Sequence, residues 1–166
     1  MESQMLQKNN GNLNMAILLF SRNTKKSTYK ILLIDDDEDF SDAMSIQLKH
    51  DIGCSVDKAT NPYEAMNALV ESYYDLVLLD WKLQTMSGWS ALQRTDEMLS
   101  IDTEISPRWD ETKVPVIIIT ANAANEVKAL SSVHFQRIGF LTKTSTVREL
   151  SENIQQLILK QKQRAS

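Results

Sequence analysis

Short apolar runs recur along the chain, and segments with helical periodicity separate them. Three of the runs consist of aliphatic residues at nearly every position, which is typical of strands that helices cover on both faces of a sheet. The strands predicted from these runs, in chain order, are Ile31–Ile34, a weaker one centred on Val56, Leu76–Leu79, Val116–Ile119 and Ile138–Leu141.

The predicted helices are read from apolar residues at three- and four-residue spacing. Phe40, Met44 and Leu48 lie four apart, and Asn61 and Pro62 are residue types favoured at an N-cap and at the first helical position. The predicted helices are Glu38–His50, one from Pro62 with Ala65, Leu69 and Tyr73 on its apolar face, Gly88 through Met98, Ala123–His134, and a last one from near Ser145 with a buried stripe of Val147, Leu150, Ile154, Leu157 and Ile158.

Strands that alternate with helices predict an α/β fold with right-handed crossovers and a parallel sheet. Residues 29–164 form the predicted domain. Residues 1–28 are an N-terminal extension, partly ordered at most, whose apolar run Met15–Phe20 is a locally packed tail, a docked strand or a partner-binding patch. Residues 101–113 break the periodicity and are an insertion, in which Trp109 either anchors the loop or contacts a partner.

Composition narrows the functional classes. The chain has 166 residues, enough for one domain, and a net charge of −4, which argues against a general nucleic-acid binder. Cys54 is the only cysteine, so the chain forms no internal disulfide and has no cysteine cluster for zinc; a packing role is expected for it. No apolar run reaches the roughly 20 residues that cross a bilayer, so we expect no membrane insertion and a cytoplasmic location.

Polar residues with related chemistry follow the apolar runs. Asp35 and Asp36 follow the first strand, Asp80 the third, Thr120 the fourth and Lys143 the fifth. The carboxyl ends of parallel strands share one edge of the sheet, and ligands bind there. Carboxylates suit Mg²⁺, a hydroxyl and an ammonium suit phosphoryl oxygens, and an aspartate can attack phosphorus. The sequence therefore predicts a magnesium and phosphoryl-group site.

Each residue taken alone has an ordinary explanation. The acidic run Asp35–Asp37 is typical of a helix cap, Thr120 of a local hydrogen bond to the backbone, and Lys143 of an exposed loop. The occurrence of all of them at successive strand ends favours the site over these explanations.

The chain from about Tyr29 to Arg164 resembles the receiver domain of bacterial two-component response regulators, the CheY-like superfamily. The resemblance implies a flavodoxin-like fold, a doubly wound five-stranded parallel sheet in the order 2-1-3-4-5 with helices on both faces. The matching segments are Ile31–Asp37, Asp75–Leu83 with Gly88 eight residues after Asp80, Val114–Ala121 and Gly139–Lys143.

The resemblance also implies roles. Asp80 would accept a phosphoryl group from a phosphohistidine on a sensor histidine kinase or a histidine phosphotransfer protein. The Mg²⁺ cofactor would be held by Asp80, Asp35, Asp36 and the backbone carbonyl of Lys82.

Thr120 would turn onto the phosphoryl group, Lys143 would pair with it, and Phe140 would follow Thr120 as the switch. A downstream protein would bind the face formed by the last two helices and the fifth strand. No output domain follows the last predicted helix, so we expect a stand-alone receiver, monomeric or weakly dimeric, that binds no nucleic acid. We expect no enzymatic turnover beyond self-phosphorylation from a donor and autodephosphorylation.

Two alternatives remain open. Thr144 and Gln84 stand where the family commonly has proline, and with the insertion they leave room for a binding module that works without phosphate. A haloacid-dehalogenase-like phosphatase would need an acid two residues after its nucleophile. Lys82 occupies that position here, so this class is disfavoured.

Overall fold

A computed structural model describes residues 29–101, 113–121 and 132–164. In these ranges five parallel strands form one sheet in the order β2-β1-β3-β4-β5, and four helices cover its faces. The predicted fold class and strand order are therefore confirmed. The strands are β1 Lys30–Ile34, β2 Ser55–Ala59, β3 Leu76–Asp80, β4 Val114–Thr120 and β5 Phe135–Thr142, and the helices are α1 Glu38–Ile52, α2 Pro62–Glu71, α3 Gly88–Ile101 and α4 Val147–Arg164.

The core is divided by the sheet because successive side chains of a strand point to opposite faces. Ile31 and Leu33 of β1 pack with buried residues of α1 and α4, whereas Leu32 and Ile34 pack with buried residues of α2 and α3. All five residues of β3 are buried, which explains its uninterrupted aliphatic run. With both faces covered, the carboxyl edge of the sheet is left for polar chemistry.

Local caps fix where the helices begin and end. Asp37 caps α1 and accepts a hydrogen bond from the Phe40 N–H at 3.0 Å, and Gly53 ends this helix with a left-handed φ of 70°. Asn61 caps α2 with Pro62 directly after it, as predicted.

Some predicted helix boundaries agree with the structure and others were wrong. The last helix is capped by Thr146, close to the predicted start near Ser145, and the hydroxyl of Thr146 and the carboxylate of Glu149 accept hydrogen bonds from each other's backbone N–H groups. Tyr73 lies beyond the end of α2, and its neighbour Tyr74 is the fully buried ring. The end of the helix predicted at Ala123–His134 is also wrong, since residues 132–134 are not helical and β5 begins directly after them.

Other predicted segments lie outside the described residues. They are the extension 1–28 with its apolar run Met15–Phe20, residues 123–131 of the predicted fourth helix, and the predicted insertion with Trp109, apart from its end residues Ile101 and Lys113.

Asp96 on α3 explains why the helix prediction failed before β5. Its carboxylate accepts hydrogen bonds from the backbone N–H groups of Val133 and His134, both at 2.8 Å, and pairs with Nδ1 of His134 at 2.7 Å. Backbone donors held by a side chain cannot join a helical ladder. Asp96 therefore fixes the chain at the start of β5.

Replacing Asp96 with alanine should lower the free energy of unfolding by about 3 kcal/mol, because two backbone donors and the imidazole lose a charged acceptor. Burial opposes the charge of Asp96, but the donated hydrogen bonds hold its pKa below the usual range. Its stabilisation is therefore present above the carboxyl pKa of the unfolded chain and is lost as the pH falls through the folded value. Urea titrations at neutral and acidic pH measure the difference.

The matched control is Asp42→Ala, which removes a surface ion pair with Lys58. We expect a change of less than about 1 kcal/mol for this control. If Asp96→Ala lowers the free energy of unfolding no more than the control does, Asp96 does not fix the chain at the start of β5.

Candidate functional site

The turn after β1 places three acids in three different environments. Asp35 is fully buried, Asp36 is half-buried and Asp37 is exposed. Oδ1 of Asp35 accepts the backbone N–H of Asp37 at 3.0 Å, so the turn folds back on its first carboxylate. Asp37 performs the capping role, which leaves Asp35 and Asp36 for other chemistry.

Asp80 ends β3 and is 7% exposed. Its Oδ1 accepts the backbone N–H of Lys82 at 3.1 Å, whereas the side chain of Lys82 is exposed. Gly88 approaches the same strand end so closely that a Cβ there would stand 2.1 Å from the backbone oxygen of Asp80. Glycine at this position lets α3 begin directly against the site.

Thr120 and Lys143 reach the edge from β4 and β5. Thr120 is 6% exposed at the end of β4 and pairs with Thr142 in the strand register. The backbone N–H of Lys143 donates to the carbonyl of Thr120 at 2.8 Å. This hydrogen bond extends the β4–β5 pairing by one residue and fixes the origin of the lysine side chain.

Lys143 joins the two buried carboxylates. Its Nζ donates to Oδ1 of Asp35 at 2.8 Å and to Oδ2 of Asp80 at 2.7 Å. It also forms an ion pair with Oδ2 of Asp35 at 2.7 Å. The side chains are 15%, 0% and 9% exposed for Lys143, Asp35 and Asp80, so the ion pairs are shielded from water.

The electrostatics of the site favour a charged Lys143 and oppose the charged form of Asp35. Burial raises the pKa of Asp35, although hydrogen bonds from Lys143 and the Asp37 N–H oppose this shift. Burial alone would lower the pKa of Lys143, but its hydrogen bonds and ion pairs with Asp35 and Asp80 raise it. The Lys143 ammonium thus offsets only part of the cost of burying the Asp35 carboxylate.

The acids are also arranged for a cation. Asp35, Asp36 and Asp80 each offer a carboxylate oxygen, and these oxygens lie within 4.8 Å of one another. Oδ2 of Asp35 is buried and receives no hydrogen bond from the described residues. Converging carboxylate oxygens are the donor set that Mg²⁺ prefers. The residues present therefore fit a divalent cation.

The structure thus brings the predicted residues Asp35, Asp36, Asp80, Thr120 and Lys143 to one edge. Phe140 lies two residues before Thr142 on β5 and packs, partly buried, against the core on the α2 and α3 side. The switch role of Phe140 and the ligand role of the Lys82 carbonyl stay predictions.

Sequence reasoning missed the contact of Phe40 with the site. Nζ of Lys143 lies 4.6 Å from the centroid of the Phe40 ring. Phe40 was predicted on the apolar face of α1, and it does pack against that half of the core. No local pattern signals that the ring also meets a side chain from β5, 103 positions along the chain.

In the part of the chain that the structure describes, no helix combines the length and the apolar character needed to span a bilayer.

The family model of the response regulator receiver domain matches residues 31–155. The sensor histidine kinase GacS of Pseudomonas protegens is 30% identical over 129 residues, which are 74% of this chain and 12% of GacS. The transcriptional regulatory protein YkoG of Bacillus subtilis is 28% identical over 124 residues, 75% of this chain and 48% of YkoG. The chain thus spans less than half the length of these relatives.

Solved structures support the fold. The CheY-like response regulator receiver domain protein of Methanospirillum hungatei superposes with a TM-score of 0.61 at 20% identity and covers 83% of this chain and 99% of that protein's chain.

Proposed function

Because the chain belongs to the family of response regulator receiver domains, we propose that it accepts a phosphoryl group on Asp80 in a Mg²⁺-dependent reaction. The phosphoryl group then switches a surface that binds another protein. Apart from this self-phosphorylation and the later loss of the phosphoryl group, we propose no catalytic turnover.

One observation carries the proposal. Lys143 Nζ lies 2.7 Å from Oδ2 of Asp80, while oxygens of Asp35, Asp36 and Asp80 converge within 4.8 Å. The groups that a phosphoryl-transfer site needs, a nucleophile, a positive charge and cation ligands, are therefore all present at the carboxyl edge of the sheet. Such a site works mainly by positioning and charge stabilisation, and this arrangement of charged groups would contribute to both.

In the transfer, an oxygen of Asp80 forms a bond to phosphorus as the bond from phosphorus to the donor nitrogen breaks, with its electron pair leaving on nitrogen. Lys143 already contacts the Asp80 carboxylate, and its ammonium would stabilise the negative charge of the phosphoryl group as this group is transferred to Asp80. Asp35, Asp36, Asp80 and the backbone carbonyl of Lys82 would hold Mg²⁺, which when bound neutralises charge on the phosphoryl oxygens.

Thr120 and Phe140 are the proposed switch. Thr120 ends β4 at the site and would donate its hydroxyl to the phosphoryl oxygens. Phe140 is only partly buried on the neighbouring strand, which leaves its ring room to change position. A change there would alter the surface along β5 and α4, which we propose as the surface for a downstream protein.

The proposed donor is a phosphohistidine on a sensor histidine kinase or a phosphotransfer protein. Family membership supports this, since a receiver carries the aspartate to which such donors transfer. No nucleic acid is proposed as a partner.

Incubation with a small labelled phosphodonor tests the function. We expect about one hydroxylamine-sensitive phosphoryl group per chain in Mg²⁺, and loss of nearly all uptake in EDTA, because the carboxylates then repel the donor. Trp81 follows Asp80, so beryllium fluoride with Mg²⁺ should also change its fluorescence, with Trp81→Phe as the control. No labelling and no fluorescence change in folded protein would favour a module that works without phosphate.

A further inference from the structure

The ammonium of Lys143 is held on three sides. Two sides are the carboxylates of Asp35 and Asp80, and the third is the aromatic ring of Phe40, whose centroid lies 4.6 Å from Nζ. The lysine side chain is 15% exposed, so little water competes for it. A cation over a ring face is attracted by the electrons of the ring, most strongly where it is desolvated.

We propose that Phe40 is a positioning residue for phosphoryl transfer, which holds the Lys143 ammonium against Asp80 through a cation–π contact. This inference rests on the proposed function. The ring contacts the ammonium of the long, flexible lysine in addition to the two carboxylates, so that Nζ stays at the oxygen where charge develops. Phe40 does not touch the reacting atoms and acts through Lys143.

The position of Phe40 is itself tied to the acidic turn. Its backbone N–H donates to Oδ1 of Asp37 at 3.0 Å, and Asp37 in turn donates its N–H to Asp35. The ring and the first carboxylate are thus fixed by the same turn. An aliphatic residue would fill the same space in the core but would present no negative ring face to the ammonium.

The test compares Phe40→Leu with Phe40→Tyr in labelling by a small phosphodonor at saturating Mg²⁺. We expect Phe40→Leu to slow labelling roughly fivefold and Phe40→Tyr to restore it, because the tyrosine keeps the ring face. In a Lys143→Met background, Phe40→Leu should cause no further slowing. The packing control is Leu48→Met on the same helix, which should leave the labelling rate within about twofold of wild type.

A readout independent of labelling separates this inference from the proposed function. The ε-methylene protons of Lys143, assigned by their absence in Lys143→Met, should resonate upfield in wild type and Phe40→Tyr and return to the usual lysine position in Phe40→Leu. Unshifted resonances in wild type, or equal slowing by Phe40→Leu with and without Lys143, would overturn the positioning role. Folded wild-type protein that takes no label but shows the upfield shift would instead contradict the proposed function, and with it a role in phosphoryl transfer, while the contact between Phe40 and Lys143 would still stand.

Discussion

Asp80→Asn is expected to lose phosphoryl uptake from a small phosphodonor, by at least about a hundredfold relative to wild type, because removal of a nucleophile usually costs more than this. An amide oxygen at this position has a similar shape but carries no charge with which to attack phosphorus. The measurement is labelled phosphoryl incorporation per chain in Mg²⁺, with circular dichroism to show that the variant is folded.

A matched control separates this loss from a general effect of removing a carboxylate. Asp57 lies on the edge strand β2, where it pairs with Lys30 at 2.9 Å and accepts the hydroxyl of Tyr74 at 2.9 Å. Asp57→Asn removes a comparable charge outside the site, and we expect labelling within about twofold of wild type, because distant sites behave independently. Labelling of Asp80→Asn at the wild-type rate would end the proposed role of Asp80.

The parts of the site that could be predicted from sequence are those set by strand ends. Asp35, Asp80, Thr120 and Lys143 each follow or end a short apolar run, and a parallel sheet places such positions at one edge whatever the loops do. The prediction therefore needed only the alternation of strands and helices, and small errors in strand length did not affect it.

The parts that could not be predicted depend on contacts between distant segments. Local periodicity favoured a helix up to His134, but the backbone N–H groups of Val133 and His134 donate to the carboxylate of Asp96 instead. Phe40 has the spacing of an ordinary core residue, and only the folded arrangement brings Lys143 over its ring. Local sequence patterns carry no information about such partners, so these features required the structure.

Lys143→Met should lower the free energy of unfolding in EDTA at neutral pH by about 3 kcal/mol, because two buried carboxylates then lose their only shared counter-ion among the described residues. The same substitution at Lys58 is the control. Lys58 pairs with Asp42 on the surface, where the side chains are 39% and 65% exposed, and we expect a loss of less than about 1 kcal/mol.

The pH dependence of the Lys143→Met deficit identifies its cause. Burial already holds the pKa of Asp35 above its usual range, and loss of the ammonium would raise it further. A carboxyl with a raised pKa contributes stability that is fully present below the pKa of the unfolded chain and is lost as the pH rises through the folded value. The variant should therefore gain stability relative to wild type as the pH falls from 7 towards 5, measured by urea titration in EDTA.

A second substitution tests the same cause at constant pH. Asp35→Asn in the Lys143→Met background removes the buried charge that lost its partner, so the double variant should recover part of the deficit. A deficit that does not change with pH and is not relieved by Asp35→Asn would mean that Lys143 stabilises the fold through packing of its aliphatic chain. In that case the ion pairs at this edge would contribute to phosphoryl transfer without contributing to stability.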